Sequence, residues 1–307
     1  MPDSQVVIET HGLRKVYGTK VAVDSLDLTV ERGEVFGFLG PNGAGKSTTI
    51  NMLLGLTRPT DGTAQLLGMP VGNWQVRARV GFLPEHFRFH GWLTAAEFLR
   101  VHGQLSRMAR ADLDRRIPEL LDLVGLSDFA GARLETFSKG MLQRIGLAEA
   151  LVNQPEVVFL DEPTSGLDPV GRRLVRDIIT DLRWQGVTVF LNSHLLSEVE
   201  ITCDRVAFIR RGKVVRTARL GDLESGTEVT LKVGQVTAEL LAGLTRWGHV
   251  LQLEGTSVLL QVDSPENVPV IVEWLVGLGV KLYALTPRHT SLEELFFDVM
   301  EGETSVG

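Results

Sequence analysis

An apolar run, Val35–Leu39, leads directly into Gly40, Pro41, Asn42, Gly43, Ala44, Gly45, Lys46, Ser47 and Thr48, and an amphipathic stretch, residues 49–54, follows. The spacing G-x-x-x-x-G-K-S/T between a strand and a helix restricts the fold sharply, because a buried strand must deliver a tight glycine-rich turn to the start of a helix. In such a turn consecutive backbone N–H groups point inward around a polyphosphate, and the helix N-terminus adds the positive end of its dipole. Lys46 is placed to reach the outer phosphates and Ser47 to ligate magnesium. A dinucleotide-binding fingerprint would need a third glycine where Thr48 stands, and it has no use for Lys46 and Ser47.

Length and charge narrow the remaining possibilities. A chain of 307 residues holds one domain of good size and a smaller companion. No apolar run approaches the roughly 18 residues of a membrane span; the best candidate, residues 269–280, is short and contains Glu273. The N-terminal residues lack a basic segment followed by an apolar one, and the single cysteine, Cys203, has no internal partner for a disulfide. Both observations favour the cytosol. The net charge of −7 is uneven: residues 222–307 carry 13 acidic and 4 basic side chains, or −9, which leaves about +2 for residues 1–221. An acidic tail argues against nucleic acid or anionic lipid as its ligand, since phosphate binding needs clustered Lys and Arg.

The hydrophobic period changes along the chain. Residues 5–8 and 21–30 read as edge-like antiparallel strands, the second with Leu26, Leu28 and Val30 alternating. From Trp92 to Val124 the period becomes helical. Phe98, Leu99, Val101, Leu105 and Met108 suit one helix face, and Leu113, Ile117, Leu120, Leu121 and Val124 suit another. A buried strand returns at Val157, a helix is expected over 172–184 with Leu174, Ile178 and Leu182 on one side, and a second buried strand over 187–191. Strands alternating with helices imply a parallel sheet core. Beyond Leu220 the pattern reads βαββαβ, which fits a ferredoxin-like split motif, and a last amphipathic helix covers 292–300.

The apolar strand Val157–Asp161 ends in Asp161, Glu162 and Pro163. An aspartate at the end of such a strand can hold magnesium through its water shell, and the glutamate after it is placed to orient or deprotonate an attacking water. The pair argues for hydrolysis rather than binding alone. A short way upstream stands Phe137 Ser138 Lys139 Gly140 Met141 Leu142 Gln143 Arg144. With Tyr17, the segment Gly81 Phe82 Leu83 Pro84 Glu85, the run Ser165 Gly166 Leu167 Asp168, and His194, all in order, residues 6–221 resemble the nucleotide-binding subunit of ATP-binding cassette (ABC) transporters. The Leu-Pro-Glu and Ser-Lys-Gly-Met forms resemble the ATPase subunits of type 2 ABC exporters, a group that often carries an extra C-terminal domain.

The resemblance implies an α/β fold: a P-loop ATPase cassette with a mixed sheet core, an antiparallel edge subdomain and a helical insertion at about 86–150. A small α+β accessory or regulatory domain over 222–307 would follow. It implies ATP and Mg2+ as ligands. Tyr17 would stack on adenine and residues Gly40 to Thr48 would cradle the phosphates. Ser47, Glu85 and Asp161 would hold magnesium, Glu162 and His194 would act in hydrolysis, and Asp168 would connect two nucleotide sites. Ser138, Lys139 and Gly140 would close on the γ-phosphate bound by a second copy or a homologous cassette, in a head-to-tail dimer. The partners implied are separate integral membrane permease subunits, so that the protein would lie on the cytoplasmic face of the membrane through them and without nucleic acid. Phe87, Phe89 and Trp92 form an aromatic cluster where such a subunit would dock. A regulatory or assembly role without transport is the alternative. Three positions depart from the family pattern, Glu85, Lys139 and Met141, where glutamine, glycine and glutamine are usual. Glu85 brings an added negative charge to the metal and Lys139 a positive charge towards the phosphates.

Overall fold

The computed structural model describes residues 5–86, 89–221, 228–288 and 291–301. They divide into two compact units, 1–219 with 296–307, and 220–295.

The first unit is built on two sheets. Strands β1 (Val6–Tyr17), β2 (Lys20–Glu31), β4 (Asp61–Leu66) and β5 (Met69–Pro70) form an antiparallel sheet in the order β2-β1-β4-β5. The second sheet contains β3 (Val35–Leu39), β6 (Val80–Leu83), β7 (Val157–Asp161), β8 (Thr188–Asn192), β9 (Arg205–Arg210) and β10 (Lys213–Arg219), in the order β10-β9-β3-β8-β7-β6. Its pairs are parallel except β9 with β10. Every residue of β3, β7 and β8 is buried, which is why these strands read as continuous apolar runs rather than alternating ones. One core joins Val23, Leu26 and Val30 of the antiparallel sheet, Ile50, Met52 and Leu53 of α1 (Lys46–Leu53), and Phe36, Phe38, Phe159 and Phe190 of the parallel sheet. The Phe190 ring lies 5.6, 5.3 and 5.2 Å from those of Phe36, Phe38 and Phe159.

The short α2 (Trp74–Arg77) precedes β6. Between β6 and β7 lie α3 (Ala95–Leu105), α4 (Arg110–Leu123) and α5 (Lys139–Ala150). After β7 come α6 (Pro169–Trp184) and α7 (Leu196–Thr202). Several expectations shift here. Strand β1 continues nine residues past Ile8, because bulges between Thr10 and Leu13 and beyond interrupt the alternation that marks a strand in sequence. On α3 the buried face carries Ala95, Phe98, Leu99 and Gly103. Val101 and Leu105 point away from it, 38% and 75% exposed. Helix α6 begins three residues earlier than the expected 172, because Asp168 caps it, and Ser138 caps α5. On α6, Val175 and Ile179 join Ile178 and Leu182 in the core, whereas Leu174 is only half-buried.

The second unit contains β11 (Glu228–Val233), α8 (Ala238–Leu244), β12 (Gly248–Glu254), β13 (Ser257–Val262), α9 (Asn267–Gly277) and β14 (Leu282–Arg288). Its four strands are antiparallel in the order β12-β13-β11-β14, the split βαββαβ arrangement. Val229, Leu231, Val258 and Leu260 share one buried cluster with Leu240 and Leu244 of α8 and Ile271 and Leu275 of α9, so both helices cover the same face of the sheet. Leu251 and Leu253 are each 48% exposed on the edge strand, where a register shift between Val250 and Gln252 breaks the alternation. The last helix, α10 (Leu292–Glu301), crosses the boundary between the units at residue 295, whereas the sequence places all of 222–307 in one domain. Within the first unit Arg210 of β9 holds its C-terminal end through the carbonyls of Val299 and Met300, at 3.3 and 2.8 Å. Residues 222–227 and 302–307 of the expected tail lie outside the described residues.

Candidate functional site

The parallel register brings the polar strand ends together. Asp161, last in β7, pairs with Asn192, last in β8, and Phe38 of β3 pairs with Asn192 on its other side. The loops that follow therefore leave from one edge of the sheet, the usual place for ligands in open α/β sheets. There the Gly40 to Thr48 turn runs from β3 into α1. Two glycines in it answer to close neighbours. A Cβ on Gly40 would lie 2.2 Å from the Ile209 carbonyl of β9, and Gly45, with φ +111, would place one 2.5 Å from the Ala22 carbonyl of β2. Both sheets thus clamp the loop.

A cavity of about 660 Å³ opens over this loop, lined by Tyr17, Lys20, Ala22, Asn42, Gly43, Gly45, Lys46, Ser47, Thr48, Glu85, Glu162, Asn192 and His194. The hairpin between β1 and β2, which pairs Tyr17 with Lys20, brings an aromatic to its rim. Tyr17 is 49% exposed, and Lys15 Nζ sits 4.9 Å from its ring centroid. Ala44 is buried in the turn. Lys46 Nζ donates to the Gly40 and Pro41 carbonyls at 2.7 and 3.2 Å. Burial holds the Lys46 ammonium below its usual pKa, against the opposing pull of the Glu162, Asp161 and Glu85 carboxylates.

Both acids at the end of β7, Asp161 and Glu162, are buried. Burial raises the Asp161 carboxyl above its usual pKa, and Glu85 adds to this, while hydrogen bonds from Asn192 and Ser47 and the charge of Lys46 oppose it. Burial likewise raises Glu162, reinforced by Asp161 and Glu85 and opposed by His194. Glu162 adopts φ 55, a left-handed conformation that costs a residue other than glycine of order 1–3 kcal/mol. Its surroundings enforce it. The Glu162 N–H donates to the Asn192 carbonyl at 2.8 Å, the Ser165 N–H and Gln143 Nε2 donate to its carbonyl at 3.1 and 3.2 Å, and its Oε2 lies 2.7 Å from His194 Nδ1. With the carboxylate ionised, Nδ1 must be the protonated ring nitrogen.

Ser138, Lys139, Gly140 and Asp168 line a different surface, a groove of about 540 Å³ completed by Arg144, Gly166, Leu167 and neighbours. No residue is common to the two linings. Two of these side chains already have local work: Ser138 Oγ accepts from the Met141 N–H at 3.3 Å and Asp168 Oδ1 from the Gly171 N–H at 2.7 Å, each capping a helix. The stem of Lys139 lies over Gly166, its Cε 2.6 Å from where a Cβ on that glycine would be. The charge is thus held beside the loop that carries Asp168. The aromatic cluster divides. Phe89 packs against Phe98 of the helical core, 5.6 Å between centroids, Trp92 is 65% exposed beside His90, and Phe87 lies outside the described residues.

The chain's own oxygens suit a hard cation. Ser47 and Glu85 line the cavity, Glu85 is close enough to perturb both acids, and Asn192 Oδ1 is buried without a hydrogen-bond partner among the described residues. Among those residues no group of three or more His, Cys, Asp or Glu converges. The set therefore fits magnesium, which usually shares its shell with waters and substrate phosphates, better than a metal held by a dedicated protein cage.

The ABC transporter family model matches residues 23–165, and the likeness extends well beyond them. An uncharacterised ABC transporter ATP-binding protein of Nostoc sp. (strain PCC 7120) is 48% identical across 98% of this chain and 92% of its own. The chain belongs to the ABC transporter ATP-binding proteins. It is accordingly an ATP-binding and ATP-hydrolysing protein. The Nod factor export ATP-binding protein I of Cupriavidus metallidurans is 35% identical over 94% of this chain and 96% of its own. A solved dimeric ATP-binding cassette, in a post-hydrolysis state with ADP and Pi, superposes with a TM-score of 0.65 at 25% identity, covering 69% of this chain and 98% of that one. Two further residues were not among the expected site residues: Asn192, which lines the cavity, and Gln143, which lies within the run Phe137 to Arg144 and donates to the Glu162 carbonyl. The only sign of Asn192 in sequence is an amide ending an otherwise largely apolar strand.

Proposed function

We propose that the protein is the ATPase subunit of an exporter, working as a pair of cassettes that close head to tail around two MgATP and drive separate membrane subunits from the cytoplasmic face. The observation that carries this reading is the separation of the two anion-binding surfaces. Lys46, Ser47 and Glu162 share one cavity, and Ser138 and Gly140 line another, so the second surface is used only when another cassette supplies the phosphate. Export is supported by the relatives named for Nod factor export and linearmycin resistance.

Within one site the chain's groups take distinct roles. Tyr17 stacks on adenine, and the N–H groups of the loop with Lys46 neutralise the β- and γ-phosphates. Ser47, Glu85 and Asp161 would hold magnesium, which would supply charge screening to the phosphates. Glu162 accepts a proton from the water whose oxygen attacks the γ-phosphorus as the bond to the β–γ bridging oxygen breaks. His194, with its proton on Nδ1 shared with Glu162, offers a lone pair at Nε2 when neutral and a donor when protonated. Glu162 thus holds the ring by Nδ1 and leaves Nε2 for contact with the γ-phosphate. Exposed Trp92 is the side chain best placed to meet a membrane subunit, and the βαββαβ unit serves dimer support or regulation.

Light scattering of Glu162→Gln with MgATP, alongside wild-type turnover, tests the reading. A dimer that depends on nucleotide, with hydrolysis only in the wild type, is expected. A variant that stays monomeric and turns over at the wild-type rate would remove both the shared site and the role of Glu162.

A further inference from the structure

Asn192 ends strand β8 at 2% exposure, where an amide is costly to bury unless its polar groups are matched. Two of them are. Its backbone carbonyl accepts from the Glu162 N–H at 2.8 Å, and its Nδ2 donates to Asp161 Oδ1. Its Oδ1 has no hydrogen-bond partner among the described residues, although Asn192 lines the same cavity as Lys46, Ser47 and Glu85. Because the NH2 end of the amide faces Asp161, the oxygen is left for something else. A buried acceptor without a donor is costly. Phosphate and carboxylate oxygens cannot supply that donor, since both accept. Water in the shell of a magnesium ion can, and magnesium usually keeps several waters.

We propose that Asn192 is a positioning residue for the metal, fixing the Asp161 carboxylate through Nδ2 and accepting a hydrogen bond from a metal-bound water at Oδ1. The same residue holds the Glu162 backbone, so one strand end sets the metal shell and the hydrolytic glutamate relative to each other. This rests on reading the cavity as a MgATP site. Asn192→Leu keeps the side-chain volume and removes both amide functions.

Calorimetry on the full chain compares the affinity for a non-hydrolysable ATP analogue in chelator with the affinity for magnesium once the analogue is bound. In the leucine variant analogue binding without metal is expected within twofold of wild type and magnesium affinity about tenfold weaker, the lower end for loss of a group that orients a ligand. Equal magnesium affinity in the two proteins would overturn the inference. An equal loss of analogue binding without metal would also overturn it, by making Asn192 ordinary support for the fold. Asn192→Ala provides the same comparison if the leucine does not fit. A wild-type protein that binds the analogue with no response to magnesium would instead remove the MgATP reading itself, and this inference with it.

Discussion

Glu162 concentrates the conflict between stability and chemistry in this molecule. Its carboxylate is buried near Asp161 and Glu85, and its backbone is left-handed. Because burial raises its pKa in the folded state, the native protein holds a proton there more tightly than the unfolded chain does. Its contribution to stability is full below the ordinary glutamate range and is lost as pH rises through the elevated folded value. Glu162→Gln should therefore raise unfolding free energy at pH 7 by roughly 0.5–2 kcal/mol, with the gain vanishing near pH 4, while turnover falls by about 10²-fold or more. Denaturant melts at the two pH values and an ATPase assay check both. Glu85 acts on the same group from outside, since its charge raises both Glu162 and Asp161. Glu85→Gln should move the acid limb of the pH–rate profile to lower pH and weaken magnesium dependence several-fold; unchanged profiles would remove Glu85 from the metal site. The residue types at 85, 161 and 162 were legible in sequence. The amide at 192 was not, because nothing local distinguishes a polar strand end facing solvent from one facing a carboxylate.

Helix α5 shows how one element ties both surfaces together. Ser138 caps its start in the groove. One turn on, Gln143, 6% exposed, donates to the Glu162 carbonyl, and Arg144 binds the Val124 and Gly125 carbonyls at 2.8 and 3.0 Å. Gln143→Leu leaves that carbonyl one donor short and is expected to cost about 1 kcal/mol of stability. The sharper effect should be on chemistry, about a tenfold loss of turnover with nucleotide affinity unchanged, measured by ATPase kinetics and calorimetry. A parallel loss of affinity and turnover would show only general loosening. The start of α6 was misplaced in sequence because its apolar periodicity begins after the first turn, whereas capping by Asp168 starts it at Pro169. The face of α3 was misjudged for a related reason: a helix can carry more apolar residues than its neighbours cover, and only tertiary packing, against α4 and α5 among others, selects Phe98, Leu99 and Gly103 over Val101 and Leu105.

At the scale of the whole molecule, the βαββαβ unit has its own core and the cassette has another. Residues 220–295 expressed alone should therefore fold and melt in one cooperative transition by circular dichroism; a featureless melt would mean that the unit depends on the rest of the chain. The order of the second unit and the buried strands Val35–Leu39, Val157–Asp161 and Thr188–Asn192 of the first could be read from the sequence, because period-two and helical patterns are local and those buried strands are largely apolar; β4, β5, β9 and β10 were not expected. The phosphate loop was equally plain, since its glycines, lysine and serine are contiguous and their spacing carries the chemistry. What the sequence by itself determined is thus the elements and the motif residues. Only the tertiary structure decided that Asp161 and Asn192 stand side by side, that Gln143 reaches Glu162, and that Ser138 and Lys46 line separate surfaces. Those relations depend on the register of parallel strands far apart in the chain, and no local pattern of residues encodes which strand end lies beside which.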